Sequence, residues 1–151
     1  MGSWGQKVFE NDSAMDLLGE MNERIMKVIR KGMRASVKRD IVSQRVAAEY
    51  IIRMHKADLL KTWDFKPGEI SEFIDKLESV KNTLGDESIW SDYGRGTVSS
   101  SIKKAQADVN RQIKYLKKIQ NEAADIEKQR RSGTDISKDE LSRMYKAAKR
   151  R

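Results

Sequence analysis

The sequence predicts an all-α fold: a four-helix bundle-like domain with a long fourth helix and a short basic C-terminal helix. Three observations predict it. Apolar residues recur at three- and four-residue spacing along most of the 151-residue chain. One proline and nine glycines leave few breaks. The breaks that do occur separate stretches of helical length. A chain of this size can bury a core as one domain. We expect residues 1–131 to form the helical domain and 132–151 a basic C-terminal helical segment.

The first helix is expected from Ser13 to Lys31, with Ala14, Leu18, Met21, Ile25, Val28 and Ile29 as its apolar stripe and Gly32 as its stop. Asp12 or Ser13 can cap its first amides, and Phe9 can fold back as a staple. Trp4 and Phe9 would then plug the open end of the core. The second helix is expected over Asp40 to Lys61, with Ile41, Val42, Val46, Ala47, Tyr50, Ile51 and Met54 on its apolar face. Trp63-Asp64-Phe65-Lys66-Pro67-Gly68 is the clearest breaker, its aromatics pinning the loop to the core. The third helix, Glu69 to Leu84, has the cleanest stripe: Ile70, Phe73, Ile74, Leu77, Val80 and Leu84.

Asp86 to Tyr93 reads as a short helical turn, followed by the break Gly94-Arg95-Gly96-Thr97. The Walker spacing and its lysine are missing there, so this is not a phosphate loop. The fourth helix is expected from Thr97 to Arg131. Ile102, Ala105, Val109, Leu116, Ile119, Ala123 and Ile126 set its heptad-like spacing, and Gln112 is the polar exception. At 1.5 Å per residue such a helix spans about 52 Å and should overhang the shorter helices. The overhang could pair as a homodimer, bind a partner or meet the last helix. Ser137-Lys138-Asp139-Glu140 has capping-box spacing, so a fifth helix should start near Ser137 and carry Leu141, Met144, Tyr145 and Ala148.

The pattern W-G-x-x-x-F-E-N-D-x-A-x-D-x-L is carried by Trp4, Gly5, Phe9, Glu10, Asn11, Asp12, Ala14, Asp16 and Leu18. It resembles the opening of an uncharacterised bacterial domain-of-unknown-function family. Such sequences often carry Trp soon after the aspartate; here the residue is Leu17. The resemblance implies a helical fold and a prokaryotic or phage origin, and no activity. It also suggests a role in bacterial conflict: phage defence, counter-defence or toxin neutralisation.

Charge is the strongest functional signal. Residues 1–100 hold 16 Lys/Arg against 16 Asp/Glu, whereas residues 101–151 hold 15 against 7, so the whole excess of +8 lies in the last third. Such asymmetry marks a surface for an acidic partner. The expected binding residues are Lys103, Lys104, Arg111, Lys114, Lys117, Lys118, Arg130, Arg131, Lys149, Arg150 and Arg151. A second basic group, Arg24, Lys27, Arg30, Lys31, Arg34, Lys38 and Arg39, reads as a solvated face and turn, with a second basic patch for phosphates as the alternative.

Catalytic patterns are missing. His55 is the single histidine and there is no cysteine. A lone histidine without neighbouring ligand residues reads as structural rather than as a metal ligand. No nucleophile–base motif and no Glu-x-x-His pattern occurs. No catalytic residue, metal or cofactor is therefore expected. No apolar run approaches the roughly 18 residues of a membrane span, and no secretory signal is visible. The expectation is a cytoplasmic, non-enzymatic binding protein for an acidic protein partner. The alternative is a nucleic-acid-binding accessory protein, although no helix-turn-helix or RNA-binding signature supports it.

Overall fold

The computed structural model describes residues 12–90, 98–131, 142, 143 and 145–147. Four long helices follow in chain order: α1 (Asp12–Met33), α2 (Val42–Lys56), α3 (Glu69–Leu84) and α4 (Val98–Arg131). Short 3-10 turns lie at Thr62–Asp64 and Glu87–Trp90. Among the described residues there is no strand, and the fold is an all-α bundle with a long fourth helix. Residues 142, 143 and 145–147 are also helical. Trp4, Phe9, the Gly94–Thr97 break and the Ser137–Glu140 capping box lie outside the described residues.

The core fills the space between α3 and α4 and is closed by α1 and α2. Every member of the expected α3 stripe is buried, from Ile70 to Leu84. In α4 the buried positions are Ile102, Ala105, Val109, Ile113, Leu116, Ile119 and Ile126, so the apolar stripe of this helix is spent within the chain. Gln112 is buried among them with its Nε2 engaged, donating to the Arg45 carbonyl at 2.9 Å and to Glu49 at 3.1 Å, while its Oε1 has no hydrogen-bond partner among the described residues.

The first two helices depart from expectation. In α1 the inward face is Asn22, Met26, Ile29 and Met33, while Met21 is 51% exposed and Val28 72%. The cause is a second apolar row. Leu17, Met21 and Val28 lie within about 40° of one another at 100° per residue, beside the row that packs. The stripe is wider than its neighbours can cover. Asn22 can occupy the inner face because its Nδ2 donates to the Leu59 carbonyl at 2.7 Å. Gly32 does not stop the helix. It faces α2, where a Cβ would make ordinary contact, 3.4 Å from the Ser43 carbonyl oxygen and 3.6 Å from the Ala47 Cβ.

In α2 the inward face is Gln44, Ala47, Ala48, Ile51, Ile52 and His55, and Val42, Val46 and Tyr50 point outward. The helix ends at Lys56, five residues before its expected end. Asp58 then takes a left-handed φ of 61°, which turns the chain so that Leu60 enters the core. Asp40 caps the start of α2: its Oδ1 accepts the amides of Val42 and Ser43 at 2.9 and 3.0 Å.

The breaker region is held by polar bonds as well as by its aromatics. Phe65 is buried, but Trp63 is not pinned into the core. Asp64 accepts the Lys61 amide at 2.7 Å. Arg30 grips Glu69 with two bonds, Nε–Oε2 at 2.7 Å and NH2–Oε1 at 3.0 Å. This pair ties α1 to the start of α3. Thus Arg30 is a structural residue and not part of an open basic patch. Arg34 pairs similarly with Glu72 at 3.2 Å. Gly68 supplies the φ of +76° from which α3 starts.

Candidate functional site

The expected binding residues of α4 all lie on its exposed side. Lys103, Lys114, Lys117 and Lys128 fall within about 60° of one another around the helix at 100° per residue. That arc holds no carboxylate, and Asp125 lies at its edge. Lys103, Lys104, Lys114, Lys117, Lys128 and Arg130 stand in no ion pair among the described residues. The other expected cations are engaged. Arg111 pairs with Glu49 and with Asp108 at 3.0 Å, and Arg131 with Glu127 at 3.3 Å. Lys118 lies 5.7 Å from the Tyr115 ring centroid. Lys149, Arg150 and Arg151 lie outside the described residues.

A shallow groove of about 380 Å³ lies between α2 and α4, and Arg111 is the one expected binding residue in its lining. Val42 and Val46 line it, with Arg45, Arg53 and Arg111 among its cations and Glu49 and Asp108 as their counter-charges. Glu49 illustrates the balance. Burial by itself pushes its carboxyl pKa up, but the bonds from Arg111 and Gln112 outweigh this and hold it below the usual value. This network locks α2 to α4 and fixes the orientation of the lysine row. Its apolar lining was hidden in the sequence, because Val42 and Val46 have core-like identity at helical spacing.

A second polar cluster centres on the buried His55 and Glu122. His55 is 0% exposed and bridges two residues of α4: its Nδ1 lies 2.6 Å from the Tyr115 hydroxyl and its Nε2 lies 3.0 Å from Glu122 Oε2. A neutral imidazole protonated on Nε2 satisfies both contacts, donating to Glu122 and accepting from Tyr115; an imidazolium also does so, with the Tyr115 oxygen as acceptor. Glu122 is itself 3% exposed, and its Oε1 is buried with no hydrogen-bond partner. Burial, together with the charges of Glu122 and Asp58, pushes the Tyr115 phenol up to about 12, so it stays a proton donor at neutral pH. The sequence places His55, Tyr115 and Glu122 60 and 67 residues apart. Only the packing of α2 on α4 joins them.

Tyr145 completes this cluster from the C-terminal side. Its ring is 0% exposed and packs edge-on against His55 at 5.4 Å and Trp63 at 5.8 Å. The Lys61 ammonium lies 4.7 Å from its centroid, and its hydroxyl donates to the Leu60 carbonyl at 3.2 Å. Chemically the cluster could move a proton between His55, Tyr115 and Glu122, but its imidazole has no exposed surface for a substrate. Among the described residues, no three His, Cys, Asp or Glu side chains gather as metal ligands, and no helix is long and apolar enough to cross a membrane.

No curated protein and no solved structure matches the chain. A family model does match, over residues 2–132, and so covers α1 to α4 with both polar clusters except Tyr145. The chain belongs to the family described as Domain of unknown function (DUF4259).

Proposed function

We propose that this protein is a small non-enzymatic binding protein that engages an acidic protein partner through the exposed face of α4. The observation that carries this reading is the row Lys103, Lys114, Lys117 and Lys128: exposed, aligned and without internal counter-charges. Unpaired cations on one face raise the local positive potential, which steers an acidic surface into encounter and fixes its register. The surface of α2 supplies what charge alone lacks. Val42 and Val46, which line the α2–α4 groove, and Tyr50 offer exposed apolar contact. The bacterial origin implied by the N-terminal pattern adds a setting, namely a cytoplasmic role in phage defence, its inhibition or toxin neutralisation.

The test is cross-linking of the purified complex, captured from lysate at moderate salt, with linkage sites mapped by mass spectrometry. The expected result is one co-purifying acidic protein joined through Lys103, Lys114, Lys117 or Lys128, and lost with the paired substitution Lys114→Glu and Lys117→Glu. Co-purifying nucleic acid that leaves only at high salt would replace this reading with the nucleic-acid one. A monomer that carries neither ligand would remove both.

A further inference from the structure

Tyr145 lies outside the family-matched residues 2–132, yet it is buried against them. The walls around it come from within the family domain: His55 at the end of α2, then Leu60, Lys61 and Trp63 in the connection to α3. Each wall answers a different part of a phenol. His55 and Trp63 meet the ring in T-shaped contacts, the Lys61 ammonium sits over its face, and the Leu60 carbonyl accepts its hydroxyl. A phenylalanine would leave that carbonyl without this donor, and an aliphatic residue would lose the cation and the edge contacts as well.

Among the described residues of its segment, Tyr145 is the one that is buried. Ser142 is half-buried, while Arg143, Lys146 and Ala147 are exposed. Arg143 and Lys146 flank the anchor with positive charge, and neither stands in an ion pair among the described residues. Around the socket lie carboxylates of the family domain. Glu122, Asp58 and Asp64 act, with burial, to push the Tyr145 phenol up and keep it a neutral donor. A cationic helix with one tyrosine therefore matches the socket in shape, in hydrogen bonding and in charge.

We propose that the family domain contains a tyrosine-binding socket formed by His55, Leu60, Lys61 and Trp63. It is filled in cis by the C-terminal segment acting as a releasable clasp, and it accepts a tyrosine borne on a basic helical segment in trans. Release of the clasp bares Trp63 and the His55–Glu122 pair. The proposal does not depend on the acidic partner of α4.

The test uses the full-length chain carrying Tyr145→Ala and a fluorescein-labelled peptide of residues 137–151, read by anisotropy. The peptide should bind this variant about tenfold or more tightly than it binds the wild-type chain, whose socket is filled; replacing the peptide's own tyrosine by alanine should cost about tenfold or more. Equal binding of the Tyr and Ala peptides would reduce the contact to charge attraction and overturn the proposal. So would failure of the labelled peptide to bind, or equal binding to both chains. Should Tyr145→Ala prevent folding, hydrogen exchange on the wild-type chain decides. Amides of residues 145–147 should open roughly a hundredfold more often than those of Phe73 to Val80. Exchange of both at one common rate would mean that the segment leaves only on global unfolding, and would refute the clasp.

Discussion

His55→Leu isolates the energetics of the internal cluster. The substitution removes an imidazole with no exposure and inserts an apolar side chain of comparable size. The loss falls on Glu122. Its Oε2 loses the 3.0 Å contact with Nε2, and its Oε1 already has no partner. A 3% exposed carboxylate is then left without a donor. Leaving a buried charged acceptor without its donor costs roughly 4 kcal/mol, more than for a neutral group. Tyr115 also loses an acceptor, but it is only half-buried, so water replaces the contact. The better apolar burial of leucine returns part of the loss, roughly 1 kcal/mol. A net destabilisation of about 3 kcal/mol lowers Tm by about 6–12 °C in a chain of this length. Urea unfolding followed by circular dichroism at 222 nm, with the slope unchanged, measures it. The double variant His55→Leu/Glu122→Leu removes the stranded charge and should recover most of the loss. A single variant that costs less than about 1 kcal/mol, or a double variant no better than the single, would refute the claim that the carboxylate depends on His55.

Other perturbations test other parts of the structure. Burial pushes the Asp64 pKa above its ordinary 3.8, against the bonds from Lys61 and Asn22, so the native state holds the proton longer and stability falls as pH rises through that window. Glu69 runs the other way. Burial pushes it up, but Arg30 and the Lys66 amide hold it below 4.5, so its stabilisation is present above that value and is lost as pH falls through the lowered one. Urea midpoints from acid to neutral pH should therefore lose a falling component in Asp64→Asn and a rising one in Glu69→Gln. Gly68→Ala should cost about 1–2 kcal/mol, seen as a lower Tm, because its φ is +76° and no neighbour lies within 4 Å of the new Cβ to add or remove contact. Lys114→Gln and Lys117→Gln should each change stability by no more than about 0.5 kcal/mol in urea, since both side chains are exposed and neither has a partner among the described residues.

The two surfaces differ in how they could be found. The lysine row was legible because charge and helical spacing are both local in sequence; residues 103, 104, 114, 117 and 128 occupy the exposed side that their spacing implies. Arg111 carries the same signal but is tied down by Glu49, a residue 62 positions away. The socket left no such signal. His55, Leu60, Lys61, Trp63 and Tyr145 are ordinary residues for a helix end, a turn and a C-terminal helix, and only their meeting gives them a shared chemistry.

The sequence by itself determined the helical class, the breaks near Gly68 and Gly85, and the stripes of α3 and α4. In those helices one apolar row stands alone, so periodicity and burial coincide, as they do at every position from Ile70 to Leu84. It also determined where the charge excess lies, because charge is counted rather than folded. Only the tertiary structure decided which rows of α1 and α2 face inward. Each of those helices carries two apolar rows. The Asn22 bond to Leu59 and the bridge from His55 to Glu122 select one of them. The rejected rows, Leu17–Met21–Val28 and Val42–Val46–Tyr50, became surface. Hydrophobic identity fixes that a side chain gains by burial, but the number of neighbours that can surround one helix fixes how many are buried.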